Sequence, residues 1–364
     1  MSKTESLTNW QLFFLLIQSQ VGFSILVLPN ILQSTSKGDS WISVLLAGVA
    51  IQLFFVILWL LFRKFPNLTY TEITLFLLGK HLGSLVNIVI YLYFIVSAAL
   101  ILLQFTSVIK EYLLMVTPYW VIGLLMLLTC TYLAISDIRI IARFFGIISL
   151  LFLCLFGISF FSFLLPLEIH HILPIGSSGI KGIFLGSKDS LLALLGFEVI
   201  LFLYPLAEKK GTSFLKVITW ANVFVTLLTA YFVFICIMIF SEPVLKQIKY
   251  PVFYFLRPLH FQMVERLDIL FISIWIVPLG ASLVIYLYLC SKSLTFFKGK
   301  PHKLVVISSA LVFSLFTFAK KDPESLKLYV SYLEYFSYTV IFALPCIFLL
   351  FPFITKKPEK EEIN

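Results

Sequence analysis

Charge is scarce in this sequence. Only 12% of its 364 residues are Asp, Glu, Lys or Arg, about half the roughly 25% found in soluble domains. Hydrophobic residues make up 60% of the chain and the mean hydropathy is +1.04. That balance excludes a large water-soluble domain and describes a multi-pass membrane protein. Enzyme signatures are missing too, with no phosphate-binding glycine loop, no GxSxG elbow and no His-Glu-x-x-His. Residues 1–9 are polar and lack the apolar core of a cleaved leader, so the first span is expected to remain in the mature protein.

Cysteine is sparse as well. Cys130, Cys154, Cys236, Cys290 and Cys346 all fall in apolar runs without metal-type spacing, which argues for small packing residues rather than disulfides or zinc. The five histidines, His81, His170, His171, His260 and His302, map to loops or span ends. His170-His171 reads as a solvated pair, and no metal or cofactor is expected. The net charge of +9 has no soluble basic surface large enough for a duplex. Nucleic acid is therefore not an expected partner, and the excess is ascribed to loop bias across the bilayer.

What is present is a series of apolar runs near the 20 residues needed to span. They cover 10–33, 41–62, 83–109, 119–136, 143–165, 187–206, 214–241, 269–291, 303–319 and 333–354. Ten spans are thus expected, in one transmembrane domain over 1–364. With both termini inside, sixteen of the 27 Lys and Arg fall on the cytoplasmic side. Segment 242–268 mixes Pro243, Pro251 and Pro258 with Phe253, Phe255 and Phe261, the pattern of a structured segment on the outer face.

Two stretches stand apart. Gly22-Phe23-Ser24-Ile25-Leu26-Val27-Leu28-Pro29 lies in the first run, and Gly196-Phe197-Glu198-Val199 leads to Pro205 in the sixth. Glycine lets the backbone leave the helix, and each proline orphans the carbonyl four residues earlier, Ile25 or Leu201. Such interrupted segments at matching places in two halves of a chain point to a transporter-type binding site. An odd number of spans in each half inverts the second half. Repeat one would cover about 10–165 and repeat two about 187–354.

Polar residues inside spans need a reason. Glu198 has two open readings: a ligand-binding or proton-cycling group, or a carboxylate that holds the break in shape. Tyr93, Ser97, Gln104 and Ser107 share one face of the third span, and Tyr93 is the preferred pocket wall. Asn222, Thr226 and Thr229 suggest helix packing. Ser282, on a face with Pro278 and Tyr286, has two open readings: contact with the broken first helix, or simple helix packing. Gln18, Ser19, Gln20 and Ser24 flank the first break, where the amides after Gly22 would attract an anion.

Val21 through Pro29, Leu195 through Leu203, Glu265-Arg266-Leu267-Asp268, Trp275-Ile276 and Val284-Ile285-Tyr286 together carry a family resemblance. In their order and spacing, and over almost the whole length, the chain resembles the B subunits of bacterial spore germinant receptors. Those subunits belong to the amino acid–polyamine–organocation transporter superfamily. The resemblance implies an all-α, LeuT-like fold, a 5+5 inverted repeat with helices 1 and 6 broken. It also implies a pocket for a small germinant, typically an amino acid, and partnership with an A subunit and a lipoprotein C subunit in the inner spore membrane. By matching position, Gly22, Phe23 and Ser24 would line one side of the pocket, and Gly196, Phe197 and Val199 the other, with Glu198 beside them. Tyr93 and Ser282 would add walls, and Glu265-Arg266 would form a gate or partner surface. The fifth span carries no charge from Gly146 to Leu165, where proton-coupled relatives often keep a lysine. That departure favours a sensor over the alternative, a stand-alone amino acid or polyamine transporter.

Overall fold

The computed structural model describes residues 6–66, 68–259, 266–294, 302–316 and 323–350. Its regular structure is helical, with one isolated parallel bridge between Leu7 and Ala207. Helix α1 (Asn9–Gln20) begins at a capping box, Thr8 and Gln11 each accepting from the other's backbone N–H. It meets α2 (Ser24–Leu32) at a 51° bend. Helices α3 (Ser40–Lys64), α4 (Tyr70–Tyr112) and α5 (Tyr119–Ala134) follow. Then come α6 (Ile138–Ile148) and α7 (Leu150–Phe160), which together form a stretch reaching Leu164.

The second bent element is α8 (Gly179–Ala193) followed by Phe197–Leu206, which contains α9 (Ile200–Leu203); the bend there is 55°. Beyond it lie α10 (Thr212–Ile239), the short α11 (Glu242–Gln247) and α12 (Pro251–Tyr254), α13 (Leu267–Ser293) and α14 (His302–Phe316). Helix α15 (Pro323–Ser337) passes through a π-helical turn, Tyr338–Ala343, into α16 (Leu344–Leu350). Among the described residues six stretches are long and apolar enough to cross a membrane, or eight with each bent pair taken as one span. Helices α5 and α14 are apolar but shorter. The chain is an integral, multi-pass membrane protein.

Helices α4 and α8 extend well beyond the apolar runs. α4 starts at Tyr70 rather than near 83, because Gly79 adopts φ +75° and folds the first turns back along the rest. Such a dihedral costs glycine nothing and other residues much. The folded-back piece is fixed by Asn87, whose Nδ2 donates to the Thr71 carbonyl (3.1 Å) while its Oδ1 accepts from Thr74 (2.7 Å). α8 starts at Gly179 rather than near 187, so Asp189 sits well inside it.

Close glycine contacts set the packing around α3. The Gly48 face meets Thr226 of α10, and the Gly186 face of α8 meets Ser36 and Ser43, all too tightly for a Cβ. Asn222 spans α10 and α3, donating to the Gly48 carbonyl (3.0 Å) and to Gln52 Oε1 (3.3 Å). The α11–α12 segment buries Leu245, Val252 and Phe253 and is tied to α2 by Asn30, which donates to the carbonyls of Leu245 and Lys246. On its exposed side a hydrogen bond from Lys246, with Lys37 nearby, holds the Glu242 carboxyl below the usual range.

Candidate functional site

The two helix breaks touch. Gly196, at φ +115°, brings its Cα so close to the end of α1 that a Cβ there would lie 2.1 Å from the Ser19 carbonyl oxygen. Gln20 Nε2 reaches the other way and donates to the Leu194 carbonyl (3.2 Å). Gln18 donates to Ser149 Oγ (3.1 Å), at the junction of α6 and α7, and its carbonyl accepts from Ser282 Oγ (3.2 Å) of α13. Loose backbone at membrane depth is tolerated only against protein or a cavity, and these contacts supply the protein.

Glu198 is fully buried behind the second break. Its Oε2 accepts from the Gly196 N–H (2.7 Å), and its Oε1 accepts from the hydroxyls of Tyr93 (2.9 Å) and Tyr286 (2.5 Å). No ion pair to it occurs among the described residues. Three donors from three elements satisfy a carboxyl that would otherwise be strongly destabilising in this setting. The arrangement locks α4, α13 and the Gly196 turn around one side chain.

A cavity of about 250 Å³ opens beside the breaks. Gly22, Phe23, Ser24, Ser19 and Gln20 form the α1–α2 wall, and Ser282 and Tyr286 form the α13 wall. Ser97 and Gln104 face it from α4, Leu192, Ala193 and Leu195 from the α8 side, and Val330 and Leu333 from α15. Two acids, Asp189 and Glu334, complete the lining. Glu334 pairs with Lys188 (2.7 Å), whereas Asp189 accepts a longer bond from the Thr35 hydroxyl (3.4 Å). No Lys, Arg or His lines the cavity among the described residues. The Oε1 atoms of Gln18 and Gln20 are buried without a protein partner.

The sequence-derived residues divide into two groups. Gly22, Phe23, Ser24 and Ser282 line the cavity. Gly196, Glu198 and Tyr93 form the hydrogen-bonded layer behind it, joined to the cavity through Tyr286. Phe197 packs on Phe54, Phe55 and Phe342, and Val199 is buried beside it. Arg266 pairs with Asp268 (2.6 Å), while Glu265 lies outside the described residues. Asp189 and Glu334 escaped the sequence reading because each sits one or two residues inside the start of an expected run, where a charge is unremarkable. The polar Lys188-Asp189 pair within an apolar stretch was the available signal.

Residues 6–325 match the family model described as spore germination protein, the spore permeases. The chain belongs to this family. Among its fellow spore germination proteins, GerQB of Bacillus cereus is 27% identical over 273 residues, 73% of each chain. Spore germination protein A2 of Bacillus subtilis (strain 168) is 26% identical over 364 residues, 96% of each chain. The fold is similar to that of a Na+-coupled sialic acid symporter solved in a substrate-bound, outward-open state. That match has a TM-score of 0.64 at 14% identity and covers 93% of this chain and 80% of the symporter. At such identity the likeness concerns the fold alone. This spore germination protein therefore has a transporter-like helical fold.

Proposed function

We propose that this spore germination protein is a germinant-sensing membrane subunit that binds a small amino acid in the cavity between its two broken helices. The single observation carrying this reading is the contact of the two breaks at Ser19 and Gly196, with an acceptor-rich cavity of about 250 Å³ beside it. That volume falls below the roughly 300–1,000 Å³ of pockets for drug-sized ligands, so the guest is small. The first-turn amides of α2, which begin at Ser24 without a side-chain cap, suit a carboxylate. Gln20 Oε1 and Asp189 suit an ammonium group. In this reading Glu198 and Tyr93 act by positioning Tyr286 at the wall.

The same reading takes ten spans in one transmembrane domain, 5+5 inverted, with both termini cytoplasmic, in the inner spore membrane. An A subunit and a lipoprotein C subunit receive the signal. Ligand binding shifts the population of two bundle states by no more than its differential affinity for them. Thermal unfolding of the detergent-solubilised protein against a panel of amino acids tests the pocket. One or more should raise the midpoint in wild type and not in Asp189→Asn; a flat panel overturns the proposal. The symporter-like fold favours one alternative, a stand-alone amino acid or polyamine transporter. Concentrative uptake into liposomes by the purified chain would establish that alternative.

A further inference from the structure

We propose that Glu168, His170 and His171, in the connection between α7 and α8, form a binding site for a divalent transition metal such as Zn²⁺. Among the described residues these three bring one ligand atom each to within 4.8 Å of one another. Both imidazole Nε2 atoms lie 3.1 Å from the same oxygen, Glu168 Oε2. Ligand atoms around a tetrahedral zinc with bonds near 2.0–2.2 Å are separated by about 3.3 Å, so the trio needs little movement to close on an ion. Two histidines and a carboxylate are a recognised zinc donor set, with the fourth position left open. Glu168 and His170 are exposed, which gives an ion a path in.

The backbone and second contacts make the trio more than a chance surface pairing. The Glu168 N–H donates to the Met238 carbonyl (2.9 Å), and His171 Nδ1 lies 3.1 Å from the Ile237 carbonyl. Both carbonyls belong to the last turn of α10, where helical partners run out. A neutral imidazole has one N–H. If it is on Nδ1, the bare Nε2 faces a carboxylate oxygen; if it is on Nε2, the bare Nδ1 faces a carbonyl. Either neutral tautomer sets one lone pair against another, a conflict that a positive centre at Nε2, a second proton or a metal ion, relieves. A metal ion at Nε2 removes the conflict and keeps Nδ1–H on the Ile237 carbonyl, the orientation that metal-bound histidines adopt.

Occupancy would have a structural consequence. The connection leads into α8, which supplies Asp189 to the cavity, and the His171 carbonyl packs where a Cβ on Gly38 would sit, at the turn after α2. A metal would stiffen the frame that holds the outer halves of both broken helices.

The test uses the purified full chain in detergent, titrated with Zn²⁺ by calorimetry and with Co²⁺ by absorption. Wild type is expected to bind one Zn²⁺ per chain and to give the visible bands of low-symmetry Co²⁺. His170→Ala, at a solvated position where folding is not at stake, should weaken binding at least tenfold, as should Glu168→Gln. His81→Ala, at an exposed position elsewhere, should bind as wild type does. Absent Zn²⁺ binding, or binding unchanged in both His170→Ala and Glu168→Gln, would overturn the site and leave the trio as a protonated ion pair.

Discussion

Gly196 and the Ser19 carbonyl oxygen leave no room for a methyl group between them: a Cβ would stand 2.1 Å from that oxygen. The two interrupted helices are therefore in direct backbone contact at this point. A Cβ on Gly22, by contrast, would meet Ser282 Oγ at an ordinary 3.5 Å.

This difference predicts unequal effects of the same substitution. Gly196→Ala should destabilise by about 1–3 kcal/mol from its dihedral alone, and the collision adds to that. Gly22→Ala should leave stability near wild type. Thermal unfolding in detergent compares them, and equal midpoints would contradict the packing described.

The two tyrosines on Glu198 should separate stability from response. Each donates to the same buried oxygen, so Tyr93→Phe and Tyr286→Phe should each cost about 1–3 kcal/mol. Tyr286 faces the cavity and Tyr93 does not, so ligand affinity should fall several-fold more in Tyr286→Phe. Ligand titrations on both variants, read beside their unfolding midpoints, provide the check.

Lys188 and Glu334 link α8 to α15 at the cavity, with the lysine side chain 53% exposed. Exposed pairs contribute only about 0.2–1 kcal/mol, so Lys188→Met should barely move the unfolding midpoint. Glu334 lines the proposed ligand cavity, and loss of the pair should instead change ligand on- and off-rates, with a weaker salt dependence than wild type. Stopped-flow binding at two ionic strengths measures this.

Asn222 bridges α10 to α3 through the Gly48 carbonyl and Gln52. Hydrogen bonds between membrane helices average about 0.6 kcal/mol and reach about 1.7. Asn222→Ala should therefore cost about 1–2 kcal/mol while leaving ligand affinity within twofold. A large affinity loss without destabilisation would assign the residue to the site instead.

Much of this architecture was legible because lipid makes apolar runs long and polar interruptions conspicuous. Gly22 and Ser24 stand out beside the break in the first span, whereas Ser282 as a cavity wall follows from the family resemblance. The α4 start was hidden because Tyr70–Leu78 is a short segment whose path depends on one dihedral at Gly79. Tyr286 was seen on the right face, but its bond to Glu198 joins residues 88 positions apart, a pairing no local pattern encodes. Asp189 was masked by a run boundary placed eight residues late, at 187 instead of 179. The depth of Glu198 behind the cavity depends on how three helices meet, and periodicity carries no such information.

The bridge at Leu7 has a mechanical corollary. The Leu7 N–H donates to the Leu206 carbonyl (2.7 Å) and its own carbonyl accepts from the Glu208 N–H (2.9 Å), so the stem of α1 is buckled to the end of Phe197–Leu206, in the second bent element. Rocking of either must drag the other along or tear both bonds. The opposite ends, α2 and α8, lie outside that clasp and are held instead by Asn30 and by the Gly186 contact.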